Sequence, residues 1–319
     1  MGVPRSACPA VFPGQHGRAS RPWHPTILAL LVLVGCEANF HEDPERDDRV
    51  QWGTEDLPEA TCFGDGDGVI GAGELMVDPD LGIGTYLTVN RGGTTVQLAD
   101  PAGGDSGSEL VWDLSAVDPA LDELLRVGPA PLDGLWYASH FPADAFTALL
   151  DSPADLYGVY RLDDDELRLL GIATAVEGDH LVYDPPVPLL RLPLGDGDAW
   201  TPDDAEAVGV VDGEVFPQDL GDEGVVSLVH TYDVEVDGEG IVRLPFGDLP
   251  VLRVRVAHRQ EAYNSIGGLF AADASRMTLF VSECLGVVAR IRSLPDEIDP
   301  DFTEATEVMR LGFDPEMLP

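Results

Sequence analysis

The chain has 319 residues, 44% of them hydrophobic, with 58 acidic side chains against 18 basic ones and a formal net charge of -40. Such a composition is globular, because disorder at high net charge goes with few large apolar residues. It excludes nucleic acid and anionic lipid headgroups as electrostatic partners, since both require a concentrated basic surface.

Residues 1–35 carry Arg5, Arg18 and Arg21 with no acid before Glu37, and they lead into the apolar run Ile27 to Val34. A bilayer core takes about 20 helical residues, so this run is too short to span and reads as the apolar region of a secretory signal. It ends in Leu33-Val34-Gly35-Cys36, which resembles the lipobox of bacterial lipoproteins. The resemblance implies cleavage before Cys36, acylation of its thiol, and a lipid anchor that holds the protein in the cell envelope outside the cytoplasm. Each buried methylene of such a chain contributes about 0.8 kcal/mol. Residues 36–61, with Glu42-Asp43-Pro44-Glu45 and Asp47-Asp48, then form a polar, acidic tether. In the oxidising compartment that this address implies, Cys62 and Cys284 remain, either as one disulfide across a very long loop or as two buried thiols.

Residues 62–84 are rich in Gly and Asp. The stretch Cys62-Phe63-Gly64-Asp65-Gly66-Asp67-Gly68-Val69-Ile70-Gly71-Ala72-Gly73-Glu74 resembles an EF-hand calcium loop, with Asp65 and Asp67 at carboxylate places, Gly68 at the turn and Glu74 at the bidentate end. That resemblance implies calcium held by Asp65, Asp67, Glu74 and the main-chain carbonyl of Val69. The first loop place is Phe63 instead of Asp, and Pro58 and Pro79 crowd the flanking helices, so the same residues also fit a metal-free acidic turn.

Over 85–319 the pattern is alternation at period two, broken about every ten residues by Gly, Pro and Asp, which is the signature of antiparallel strands joined by tight turns. In chain order it predicts strands at 86–89, 94–98, 110–114, 157–162, 167–172 and 180–183. The clearest is 228–237, with Leu228, His230, Tyr232, Val234 and Val236 on one face and Asp233, Glu235 and Asp237 on the other. Asp237-Gly238-Glu239-Gly240 then reads as a turn, with a return through Val242 and Leu244. Strands follow at 252–256, 277–281 and 288–292. Short helices are expected at 119–126, 142–150 and 301–307. The fold class is therefore all-β: one large curled antiparallel sheet, as a barrel, half-barrel or sandwich, with one or two short helices. Turns such as Leu192-Pro193-Leu194-Gly195-Asp196-Gly197-Asp198-Ala199-Trp200 and Leu244-Pro245-Phe246-Gly247 resemble those of uncharacterised exported β-domains of bacterial envelope proteins. This resemblance implies a fold and a compartment and no activity.

No catalytic constellation stands out. Gly-x-Ser-x-Gly does not occur, a Gly-x-x-x-x-Gly-Lys loop is impossible in a chain whose every basic residue is Arg, and His41, His140, His180, His230 and His258 lack zinc-enzyme spacing. His230, on an apolar strand face, reads as a hydrogen-bonded core residue. Trp112, Leu135, Trp136, Tyr137, Phe141, Tyr157 and Tyr160 either fill a core or line a barrel holding an apolar ligand. Arg253, Arg255, Arg290 and Arg292 are expected to face outward and pair with Asp233 and Glu235. The sequence thus describes a lipid-anchored extracytoplasmic protein that is not an enzyme and acts through structure or binding. Its partners are the membrane, through the anchor, and an envelope protein or an apolar ligand, with no nucleic acid. Two alternatives stay open: a carrier of lipid inside a curled sheet, and a carboxylate-dependent hydrolase of envelope polymers.

Overall fold

Val, Leu, Ile and Thr at alternate positions fit a pleated, half-buried surface, and most of the described chain is strand. The computed structural model describes residues 64–75, 85–90, 95–105, 109–117, 122–151, 156–175, 178–210, 225–263 and 267–312. The signal segment, Cys36, the tether and Cys62 lie outside them. In chain order the strands are β1 (Val69–Ile70), β2 (Thr85–Asn90), β3 (Val96–Gln97), β4 (Gly104–Asp105), β5 (Leu110–Asp113), β6 (Asp122–Val127) and β7 (Ala130–Pro131). Next come β8 (Phe146–Asp151), β9 (Leu156–Leu162), β10 (Glu166–Thr174), β11 (His180–Arg191), β12 (Leu194–Gly195), β13 (Ala199–Trp200) and β14 (Ala205–Val210). The three longest follow, β15 (Val225–Leu244), β16 (Gly247–Tyr263) and β17 (Leu269–Ser282), and then β18 (Gly286–Ser293) and β19 (Glu304–Gly312). Two 3-10 turns, Ala72–Glu74 and Ala138–His140, are the helical content of the described residues.

Hydrogen-bonded ladders run in the order β7, β8, β9, β10, β11, β14, β15, β16, β17, β18, β19, β2, β6, all antiparallel. The sheet curls until β6 lies against β8. Gly128 and Pro129 alone separate β6 from β7, and no ladder among the described residues joins the two ends, so hydrogen bonds do not seal the curl. At twenty residues, β15 outruns any single neighbour, and its second edge is covered in turn by β14, by β13 and, in parallel, by β5.

Apolar side chains fall into three clusters. One lies inside the curl and includes Leu169, Val187, Val234, Val254 and Val281; β1 and β12 contribute Ile70 and Leu194 to it. A second packs Trp112 and Leu114 against Val242, Phe280, Val288 and Val308. The third packs Leu132, Tyr137 and Phe141 against Val159 and Leu170. Much of the sheet is therefore buried on both faces, which blurs the alternation expected of a half-wetted strand.

Three expected helices are strands instead. Residues 122–127 pair with β2, 146–151 with β9, and 304–312 between β18 and β2. The last shows why the spacing misleads: Ala305, Val308 and Met309 recur at helical intervals, yet Glu307 and Arg310 beside them are buried as well. Both faces of a strand are thus covered where the pattern resembles a helical stripe. The turn expected at 237–240 is likewise absent, because β15 continues through it with a bulge and turns at Pro245-Phe246. Gly238 and Gly240 serve a different need, since a Cβ on Gly240 would strike the carbonyl of Leu110 and one on Gly238 would press on Leu110 and Trp112. They let β5 come close.

Candidate functional site

Inward-facing side chains of β8 to β11 and β15 to β19 enclose a cavity of about 630 Å³, inside the range of roughly 300–1,000 Å³ typical of small-molecule sites. Its wall is largely aliphatic and aromatic: Phe146, Leu156 and Tyr160 from β8 and β9, Leu169 from β10, and Val256 and Met277 from β16 and β17 are representative. Asp273 is the one carboxylate among the lining residues.

A chain of polar rings crosses this apolar wall. The Tyr183 hydroxyl lies 3.4 Å from Nε2 of His230, and Nδ1 of His230 lies 2.9 Å from Nε2 of His258, so one imidazole donates to the other. Tyr232 stacks on His258 with ring centroids 4.6 Å apart. Burial lowers the pKa of His230 to about 3, with His258 adding to the shift, and burial lowers that of His258 to about 4, helped by the nearby Arg292 charge. Both rings are therefore neutral at neutral pH. Burial raises the phenols of Tyr183 and Tyr232 far above their usual range and holds Tyr160 at about 12.

On β18 the outward placement expected for Arg290 and Arg292 is reversed, for both line the cavity. Arg290 donates to Glu307 at 2.7 Å and to the Leu150 carbonyl at 3.2 Å, so it bridges β18, β19 and β8 across the curl. Arg253 and Arg255 face the other way, but Arg253 is buried, and their partner is Asp237, not Asp233 or Glu235. Arg253 grips both carboxylate oxygens of Asp237, donates to the carbonyls of Pro101 and Ala102, and lies over the Trp112 ring. Arg255 pairs with Asp237 and Asp301.

Of the aromatic set, Tyr160 alone lines the cavity, while Trp112 belongs to the second cluster and Trp136, Tyr137, Phe141 and Tyr157 to the third. His230 is buried and bonded, as its strand face implied. His258, Gln260, Asp273 and Ser275 were not anticipated. The signal for them was present as polar residues taking over the inward places toward one end of the β16–β17 ladder.

The acidic loop is arranged differently from the expected ligand set. Asp65 and Glu74 come together with Glu283, their carboxylate atoms within 4.8 Å of one another, while Asp67 turns its carboxylate to the main-chain N–H of Val69 at 2.8 Å. Glu74 accepts from the N–H of Gly71 at 2.7 Å, and Val69–Ile70 is a strand paired with β12. Glu283 accepts from Gly66 at 3.0 Å, and the Cys284 N–H donates to the Glu74 carbonyl at 2.7 Å, so the loop is laced to the turn between β17 and β18. These three carboxylates are the group among the described residues close enough together to share a cation.

Comparison of the chain with protein-family models, curated proteins and solved structures gives no match.

Proposed function

We propose that this protein is a lipid-anchored component of the cell envelope, tethered through Cys36, that binds one apolar or amphipathic molecule in the cavity of its curled sheet without catalysing a reaction on it. The observation that carries the reading is the cavity itself: about 630 Å³, mostly apolar, and set inside the curl of the sheet. Its apolar surface favours an apolar occupant by roughly 25 cal/mol per Å² removed from water. Ser275 stands opposite His258 in the wall, but the His258 Nε2 is engaged with His230, and Glu307, the acid next to the wall, is committed to Arg290. The lipobox and the tether supply the compartment, and the lacing of Gly66 and Glu74 to Glu283 and Cys284 supports a Cys62–Cys284 disulfide, because Gly64 already lies against Glu283.

The test is a native mass spectrum of the protein exported into a periplasm, followed by solvent extraction. A lipid-sized adduct released by solvent, together with the loss of two thiol hydrogens, is the expected result. An empty protein that also fails to take up a neutral fluorescent apolar probe would refute ligand binding.

A further inference from the structure

The inner wall changes character along the β16–β17 ladder. Gln260 stands in register with Asp273, His258 with Ser275, and Val256 with Met277. Each step of two residues advances a strand by about 7 Å, so the surface passes from hydrogen-bonding to apolar within a few such rows. Asp273 is exposed and Val256 is buried, so the polar row forms the rim and the apolar row the interior.

We infer that the ligand is a single-chain amphiphile with an uncharged, hydroxyl-bearing head, seated tail first, its head at Gln260, Asp273 and Ser275 and its tail against Val256 and Met277. This rests on the cavity being a ligand site, as proposed above. Asp273 presents acceptors only, whereas the amide of Gln260 and the hydroxyl of Ser275 both donate and accept. Head hydroxyls satisfy all three, while an anionic head meets the Asp273 carboxylate directly, with Asp296 as a second negative charge beside it. The net charge of -40 adds to that repulsion. On the opposite side of the balance, Arg292 stands in register with Met277, one row deeper than Ser275, and attraction of an anionic head to it is the competing outcome.

The experiment is displacement of neutral N-phenylnaphthylamine from the full chain by monopalmitoylglycerol and by palmitate, which share a tail, at mildly alkaline pH where palmitate is ionised. Monopalmitoylglycerol should displace the probe at about tenfold lower concentration, as expected for one charge-assisted contact. In Asp273→Leu that preference should fall to within about threefold while the probe still binds. Equal or stronger displacement by palmitate, with the probe bound, overturns the head assignment and leaves the cavity reading intact. Failure of the probe to bind removes both.

Discussion

His230 and His258 show what burial does to an ionisable pair. Unfolded, each ring takes a proton near 6.5; folded, His258 resists until about 4 and His230 until about 3. As pH falls from 6.5 toward about 3, the unfolded chain binds protons that the folded one refuses, so stability drops through that window, the His258 share ending near 4 and the His230 share near 3. His258→Gln should lose less stability over the same window, the difference approaching roughly 3 kcal/mol at about 1.4 kcal/mol per pKa unit. Parallel pH profiles of chemical-denaturation midpoints for the two proteins would refute this. Gly171 marks a second sensitive position: a Cβ there would meet the Leu181 carbonyl and come 2.5 Å from the Phe141 ring, between β10 and β11. Gly171→Ala should cost about 1–3 kcal/mol by overpacking, whereas Gly73→Ala, with open space around it, should be nearly neutral; thermal melts of the two distinguish them.

Among the elements, the β15–β16 hairpin is the spine, and Arg253 ties it to the segment around β4 and β5. With Asp237, two carbonyls and Trp112 all engaged, Arg253→Met leaves Asp237 with Arg255 as its remaining partner and should destabilise by about 3 kcal/mol. Adding Asp237→Asn should recover part of that loss, and a double-mutant cycle by denaturant titration reads the coupling. This element also shows the reach of the alternation pattern. The inward set His230 to Val236 and the later strands were legible, because each needs only its own period of two. The continuation of β15 through Gly238 and Gly240 was not, because two glycines signal a turn locally and a close strand approach only when β5 is present. Nor was the inward placement of Arg290 legible, since a strand covered on both faces has no wet side for its cations to mark.

At the scale of the whole molecule, the curl converts one face of a sheet into a container. Met277→Trp introduces a large ring into that space without touching the outer clusters. It should retain the far-UV spectrum of the parent, lose the solvent-extractable adduct and weaken probe binding by about tenfold or more. An unchanged adduct would place the ligand elsewhere. Arg290 spans the curl from β18 to the Leu150 carbonyl on β8, the strand against which β6 lies.

By itself the sequence determined the all-β class, most strand positions and the apolar face of β15, because these follow from local periodicity and turn chemistry. It also holds the contiguous run ending at Leu33-Val34-Gly35-Cys36 that resembles a lipobox and on which the proposed export and lipidation rest. The tertiary structure decided the cavity, the His230–His258 contact, the grouping of Asp65 and Glu74 with Glu283, and the direction of the arginines. Each of these joins residues far apart in the chain, and only the register between strands, fixed by the curl and by burial on both faces, brings them together.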